Sequence, residues 1–218
     1  MLFDVGFRPR FSFPTNQSNY AKRRQVMRQS SAIVGVLLCM TQVATAAPRD
    51  DVIEAFDAVM AAGKYRVEVA TVTGKREHVM QLDVELPNRF HLRSPESEMI
   101  LLPTGSWMRM DQQWMRMPVD MSKTVEAFTM RAIEDGKASL RDVSMGADAI
   151  VAGCEARVYE YRQSGKIMGV QSEAEVEMAV CKDTGLPSQI VTRSGSERKP
   201  TVVTSIYDFA AEISIEAP

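Results

Sequence analysis

The sequence predicts an α+β protein, in which a strongly curved antiparallel sheet forms an open half-barrel covered by two or three short helices. From Lys64 onward, apolar residues alternate with polar ones, as in strands with one buried and one solvated face. Short turns separate successive runs, so neighbouring strands must be antiparallel. About eight to eleven such strands have a larger apolar face than a few helices cover. Either an apolar concavity remains under the helices, or the helices fill that space.

The first 46 residues are predicted to be a signal peptide with an upstream extension, followed by a single half-barrel domain over residues 47–218. Four basic residues between positions 22 and 28 precede the short apolar run Ala32–Met40, and Ala44 and Ala46 are small residues suited to a cleavage site. The run is shorter than the roughly 20 residues that a membrane span needs. We expect export to the periplasm with cleavage near Ala46.

Removal of this leader changes the charge and the cysteine count. It leaves 20 basic against 27 acidic side chains, an excess of acid that excludes nucleic acid as a partner.

Removal of the leader also leaves two cysteines, Cys154 and Cys181, which can form one intrachain disulfide in an exported chain. The enclosed loop would stabilise the fold by roughly 3.5 kcal/mol. A metal-binding pair would need closer spacing and histidine partners.

The first element of the exported chain is predicted to be a helix that Asp50 or Asp51 caps and that ends before Gly63. Its buried face would consist of Val52, Phe56, Val59 and Met60. The change to a period of two after this helix predicts six strands. They cover 65–71, 80–86, 90–92, 99–102, 107–110 and 113–117.

A second helix, from Ser122 to about Gly136, is predicted to interrupt the sheet, because apolar residues there recur at helical spacing. Strands then resume to the end of the chain, with a turn at Gly165-Lys166 after the first of them. The predicted strands are 154–162, 173–181, 189–192 and 202–207.

Catalytic chemistry is not expected. The sequence contains two histidines, and His91 is out of phase with Phe90 and Leu92, so we place it on the solvated face. No nucleophile elbow, metalloprotease helix, phosphate loop or dinucleotide turn is present in the sequence. We therefore predict no catalytic residues, no bound metal and no cofactor.

Methionines around the turn at Asp111-Gln112 suggest an alternative function. Two Met-x-Met pairs on partner strands would place four thioethers on one face, and thioethers select Cu(I) in an exported compartment. Methionine is also an adaptable filler of apolar cavities. The four residues are Met108, Met110, Met115 and Met117.

The opposite face of the same hairpin is predicted to carry Trp107, Arg109 and Trp114. On that face, Arg109 and Arg116 would be solvated or would pair with Asp111.

Several short motifs give the chain a family resemblance. They are Pro87–Phe90, Met99–Leu102, Gly105–Trp107, Trp114–Pro118, Gly153-Cys154 with Tyr159, and Asp183–Pro187. With these motifs the chain resembles the LolA/LppX-type superfamily of exported lipoprotein and lipid carriers. The resemblance implies a roughly eleven-stranded open barrel that is closed by helices and holds acyl chains.

One position departs from the family pattern. Lipoprotein carriers have an arginine immediately before the Pro-x-x-Phe motif, where it is needed to hand cargo on, and this chain has Leu86. The chain therefore resembles a divergent member. Lipid binding is the expectation that survives, because it depends on the cavity and not on one residue.

The predicted function is that of a periplasmic carrier or binding protein for a lipid, an acylated protein or another apolar ligand. Envelope lipoproteins or a membrane donor or acceptor would be its partners, and we expect a monomer. The alternatives are the Cu(I)-binding protein and a subunit of an envelope complex that uses the apolar face as an interface. The predicted cavity wall is Val67, Val69, Met80, Leu82, Val84, Phe90, Leu92, Met108, Met110, Val176 and Met178.

Overall fold

The structure is a computed structural model that describes residues 47–119, 121–167, 170–196 and 199–218. The predicted signal peptide lies outside these residues. Two helices and twelve strands occur in the described ranges. They are α1 (Pro48–Ala62), β1 (Lys64–Thr73), β2 (Arg76–Glu85), β3 (Arg89–Arg93), β4 (Glu98–Leu102), β5 (Gly105–Met110), β6 (Gln113–Arg116), α2 (Ser122–Ala138), β7 (Leu140–Met145), β8 (Ala149–Val151), β9 (Cys154–Ile167), β10 (Val170–Cys181), β11 (Pro187–Ser196) and β12 (Lys199–Asp208).

All twelve strands belong to one antiparallel sheet. The strand order is β6-β5-β4-β3-β2-β1-β12-β11-β10-β9-β7, and β8 pairs with β9 beside this path. The first and last strands of the chain, β1 and β12, are therefore neighbours in the middle of the sheet. The end strands β6 and β7 do not pair with each other, which confirms the predicted α+β open half-barrel.

The alternation of buried and exposed side chains within strands, and tight turns between strands, account for the local structure of the sheet. In β1, Tyr65 and Val67 are 8% and 5% exposed, whereas Glu68, the next residue of the strand, faces solvent. The β5–β6 hairpin turns at Asp111 and Gln112, which have φ of 48° and 67°. Two consecutive positive φ values are the signature of the two-residue hairpin turn that matches the twist of the strands.

Helix α1 packs one side against the sheet and ends at Gly63, whose φ of 71° is left-handed. It begins at Pro48, a residue favoured in the first turn of a helix, so the predicted cap at Asp50 or Asp51 is wrong. Both acids instead lie in the first turn, where their negative charges interact favourably with the helix dipole. The buried face is Val52, Ala55 and Val59.

Helix α2 runs two residues beyond the predicted end at Gly136. Its first turns cover the same face of the sheet as α1, because Met121 and Val125 pack against the cluster that contains Tyr65 and Leu101.

Two predictions about the second half of the chain are wrong. The strands β7 and β8 were not predicted, because a register shift between Arg141 and Ser144 breaks the alternation of β7, and Ile150 of β8 is 81% exposed. The predicted turn at Gly165-Lys166 lies inside β9, where both residues pair with β10. Continued ladder pairing here outweighs the low strand propensity of glycine.

The predicted disulfide is confirmed. Cys154 at the start of β9 and Cys181 at the end of β10 are bonded, with 5.7 Å between their Cα atoms. The bond therefore closes the open end of a long hairpin.

The C-terminal segment after β12, residues 209–218, covers part of the face that points away from the helices. Ile215 is 1% exposed and packs with Ile100, Leu102 and the indoles of Trp107 and Trp114. Arg89 also donates a hydrogen bond to the Ile215 carbonyl. The prediction that this face is uniformly solvated is therefore wrong at β4–β6, because the end of the chain folds back over it.

Candidate ligand-binding site

The inner face, by which we mean the sheet face toward the two helices, is a set of four cross-strand rows. Strand register defines each row, because residues directly opposite one another point to the same side. The first row is Tyr65, Val84, Phe90, Leu101 and Ser106. The second row is Tyr207, Val67, Leu82, Leu92, Met99, Met108 and Met115. The third row is Met80, Val69, Ser205, Ile190, Met178 and Tyr159. The fourth row is His78, Thr71, Val203, Thr192, Val176 and Tyr161.

All eleven residues predicted as cavity wall lie on the inner face. Ten belong to the four rows, and Met110 follows Met108 on the same side of β5, opposite Gln113. The strand phase read from the sequence therefore matches the register of the structure. The role of these residues in ligand binding stays a prediction.

The second row becomes less covered from Val67 in β1 to Met115 in β6. Val67 is 5% exposed under the helices, Leu82, Leu92, Met99 and Met108 are half-buried, and Met115 is 51% exposed. The first row is more deeply covered, since Val84, Phe90 and Leu101 are at most 2% exposed. The inner face is therefore buried near α1, whereas near β6 its apolar surface is exposed to solvent.

Residues of the inner face that the predicted wall omitted fall into two chemical groups. The apolar ones, which extend the wall, are Met99, Leu101, Met115, Ile190 and Val203. The polar ones are Tyr65, Thr71, His78, Ser106, Tyr159, Tyr161, Thr192, Ser205 and Tyr207. The signal for both groups was present in the sequence, because they share the phase of the selected residues, but selection by hydrophobicity passed over hydroxyl side chains.

Four tyrosines converge on this face from β1, β9 and β12. The Tyr159 hydroxyl donates a hydrogen bond to Asp51 Oδ2 of α1 at 2.8 Å, which ties the helix to the sheet. Burial raises the pKa of Tyr65, Tyr161 and Tyr207. The rings of Tyr65 and Tyr207 are 5.9 Å apart, and Phe209 stacks on Tyr207. Because their pKa values are raised, Tyr65, Tyr161 and Tyr207 are protonated at neutral pH, and their hydroxyls can donate hydrogen bonds.

The outer face of β1–β5, opposite the helices, carries a charged network. Asp83 is 3% exposed and accepts hydrogen bonds from Arg66 at 2.6 Å and 3.0 Å and from Arg93 at 2.9 Å. Burial alone would raise the pKa of Asp83, but the hydrogen bonds from the two arginines outweigh burial and lower it to about 2. The carboxylate is thus held as an anion.

His91 belongs to the same network. It lies on the outer face, as predicted, but its side chain is only 12% exposed, so the expectation of a solvated histidine is wrong. Arg93 can only donate, so its bond to His91 Nδ1 at 2.8 Å leaves Nε2 as the donor to Glu98 at 2.8 Å. Burial lowers the pKa of His91, in agreement with a neutral ring.

The β5–β6 hairpin presents Trp107, Arg109 and Trp114 on the outer face, as predicted. Arg109 pairs with Glu98 at 2.6 Å and not with Asp111. Arg116 donates to the Thr104 carbonyl at 2.7 Å, and its guanidinium lies 5.8 Å from the centre of the Trp107 ring. Both arginines are therefore held in place.

Three of the four predicted methionines, Met108, Met110 and Met115, lie on the inner face of the β5–β6 hairpin. Met108 and Met115 are direct cross-strand partners, whereas Met110 pairs with Gln113 and Met117 follows the end of β6. Met99 of β4, which the prediction left out, is the other partner of Met108. The register thus aligns three thioethers on three adjacent strands.

A further depression among the described residues lies elsewhere. It has a volume of about 680 Å³ and lies mainly on the outer face, with a lining dominated by Asp142, Glu160, Arg162, Glu175, Glu177 and Arg193. These charges do not suit an apolar ligand, so we place the candidate site on the inner face. Within the described ranges, no His, Cys, Asp or Glu residues are grouped to hold a metal, and no helix could cross a membrane.

Comparison with known proteins finds no matching family model and no matching curated sequence. Solved structures do match. The Mycobacterium tuberculosis lipoprotein LppX aligns with a TM-score of 0.55 at 9% identity over 78% of this chain and 98% of LppX. LprF from Mycobacterium bovis aligns with a TM-score of 0.54 at 7% identity over 79% of this chain and 98% of LprF.

At 9% and 7% identity, both alignments show a shared fold. Together with the open twelve-stranded sheet, the alignments confirm the expected resemblance at the level of architecture: the chain has an LppX-like, LolA/LppX-type half-barrel fold.

Proposed function

We propose that the protein is an exported carrier that binds a lipid, an acylated protein or another apolar ligand on its inner face. One observation carries the proposal: the second row is apolar over six adjacent strands, yet the helices cover only part of it. Apolar surface that continues from a core into solvent marks a binding site more often than a surface of scattered apolar residues does.

The driving force would be burial of acyl chains against this surface. Each buried methylene contributes about 0.8 kcal/mol, so a chain of ten methylenes supplies roughly 8 kcal/mol before the cost of ordering it. Helices α1 and α2 would form the movable cover, and the half-buried methionines would adapt to different chain shapes. None of these contributions requires the family arginine that Leu86 replaces.

Two features support export. The disulfide between Cys154 and Cys181 suits an oxidising compartment, and the leader has the three-part pattern of a cleaved signal. We place cleavage near Ala46 and the folded carrier in the periplasm. Mass spectrometry of the protein secreted by a bacterial host would give the new N-terminus directly.

The first test is displacement of the fluorescent apolar dye N-phenyl-1-naphthylamine from purified residues 47–218, accompanied by native mass spectrometry. We expect dye to bind and lysophospholipid or fatty-acid ester to displace it. Mass that co-purifies and is extracted by organic solvent would identify the cargo. Absence of both dye binding and co-purified lipid would contradict the proposal.

A matched pair of surface variants locates the binding face. Met115→Lys introduces a charge at an exposed position on the inner face, and Val72→Lys does the same on the outer face. We expect at least a fivefold loss of dye affinity for Met115→Lys only. Equal effects of both variants would place the binding site elsewhere.

Cu(I) binding is a second candidate, because Met99, Met108 and Met115 are aligned on adjacent strands. Side chains directly across an antiparallel pair have Cβ atoms roughly 5 Å apart, which lets thioethers of neighbouring strands meet at one ion. Titration with Cu(I) under a competing chelator tests it. Met108→Leu should abolish tight binding, whereas Met145→Leu, at an exposed position of β7, should not.

A further inference from the structure

The second row of the inner face changes in composition from its buried end to its exposed end. Its members on β1, β2 and β3 are aliphatic, and its members on β4, β5 and β6 are methionines: Met99, Met108 and Met115. Met115 is 51% exposed, and Met110, two residues after Met108 on the same side of β5, is 52% exposed. The apolar strand residues that reach solvent at this end of the inner face are therefore thioethers.

Thioethers differ from aliphatic side chains in their reactivity. Leucine or valine would supply the same apolar surface but is inert to peroxides, whereas a thioether accepts one oxygen atom. The sulfur lone pair attacks one peroxide oxygen, an S–O bond forms, the O–O bond breaks, and the other oxygen leaves as water or an alcohol. The sulfur is oxidised by two electrons and the peroxide is reduced by two. The product, methionine sulfoxide, is polar.

Solvent exposure selects the methionines that can react. Met178 lies in the third row of the inner face but is 0% exposed, so the folded sheet shields it from a peroxide. Thiols in the described part of the chain do not compete for the oxidant, because Cys154 and Cys181 are bonded to each other. An exported protein also lacks the reducing thiols of the cytosol. Near β6, Met110 and Met115 are therefore the first targets of a peroxide.

We propose that Met110 and Met115 form an oxidation site through which peroxides lower the affinity of the inner face for apolar ligands. This inference rests on the proposed function and adds regulation to it. A sulfoxide oxygen keeps its water only while the surface is uncovered, so an apolar ligand that covers it leaves a polar group without a partner. Reduction of the sulfoxide would restore the thioether, which makes the change reversible.

The first experiment treats the purified protein with hydrogen peroxide, removes the excess with catalase and titrates the protein with N-phenyl-1-naphthylamine. Tandem mass spectrometry of tryptic peptides locates the added oxygen. We expect Met110 and Met115 to be oxidised before Met178 and the dye affinity to fall by about fivefold or more, because an unpaired dipole is costly to bury. Methionine sulfoxide reductases A and B should restore the affinity.

Two leucine variants assign the loss of affinity to the site. The double variant Met110→Leu and Met115→Leu keeps the apolar surface, so it should bind dye as the untreated wild type does, both before and after peroxide. Met145→Leu is the matched control, because it removes an equally exposed methionine, 54% exposed, from β7 at the other end of the strand order. It should lose affinity on oxidation as the wild type does.

Three outcomes would overturn the oxidation site while leaving apolar binding intact. They are an unchanged dye affinity after oxidation of both methionines, a loss of affinity that persists in the double variant, and oxidation of Met178 as fast as Met110 and Met115. Failure of the untreated protein to bind dye would instead overturn the carrier function on which the site rests.

Discussion

At the scale of single residues, Asp83 is the buried carboxylate at the centre of the charged network on the outer face. It accepts hydrogen bonds from both Arg66 and Arg93. Replacement by Asn would leave two guanidinium groups without their anionic acceptor. We expect Asp83→Asn to lower the free energy of unfolding at pH 7 by about 2 kcal/mol. Urea denaturation followed by circular dichroism measures it.

The pKa of Asp83 also sets the direction of its pH dependence. Because the pKa in the folded protein, about 2, is below the ordinary value of 3.8, the network stabilises the fold above pH 4 and the contribution is lost as pH falls toward 2. The difference between wild type and Asp83→Asn should therefore shrink over that interval. A difference that stays constant from pH 7 to pH 2 would contradict this assignment.

His91 gives the outer face a second pH response, at higher pH. Burial lowers its pKa below the ordinary value of 6.5, so the unfolded chain takes up the proton first and stability declines as pH falls below 6.5. His91→Asn should remove this decline in denaturation curves measured from pH 7 to pH 5. His78→Asn, at an exposed position, should retain it. A decline that persists in His91→Asn would assign it to other groups.

Residue identities explain which parts of the site could be predicted. Tyr65 and Tyr207 share the strand phase of Val67 and Val69, so the sequence places them correctly, but nothing in it indicates that their rings lie 5.9 Å apart. The burial of His91 depends on Arg93, two residues along the same strand, and on Glu98, which meets it only through the pairing of β3 with β4. Such contacts arise from register, and local periodicity carries no information about register between distant strands.

At the scale of elements, the C-terminal segment is part of the fold and not a free end. Ile215 is 1% exposed against Ile100 and Leu102. Ile215→Ala should therefore lower the free energy of unfolding by about 2 to 4 kcal/mol through lost burial and a residual cavity. Ile150→Ala removes the same atoms from a position that is 81% exposed and should cost little. Similar losses for both variants would show that the segment does not pack as described.

Elements with strict alternation were predictable, and irregular ones were not. The predicted strands at 65–71, 80–86 and 173–181 correspond to β1, β2 and β10 within a few residues. The β7 strand contains Asp142 at a φ of 51° and a register shift, so its side chains do not follow a period of two. The C-terminal segment has no regular structure, and the signal for its docking was the apolar run Met99–Leu102, which is hydrophobic on both faces of β4.

At the scale of the whole molecule, the pairing of β1 with β12 joins the two halves of the sheet. Without β12, the half that begins at β1 and the half that ends at β11 would both have an exposed strand edge in the middle of the core. We expect a chain that ends at residue 198 to remain unfolded by circular dichroism. A chain that ends at residue 210 keeps β12 and should fold with reduced stability. Cooperative unfolding of the shorter chain would contradict this role of β12.

The same pairing has a consequence for the time at which the sheet can form. Because β1 pairs with β12, the described strand that is most distant from it in sequence, the sheet cannot be completed until β12 has been synthesised. Pairing over such a sequence separation is also slow. If the protein is exported as we propose, the nascent chain would stay unfolded long enough to be threaded through a narrow translocation channel, and folding would finish on the far side, where Cys154 and Cys181 can be oxidised.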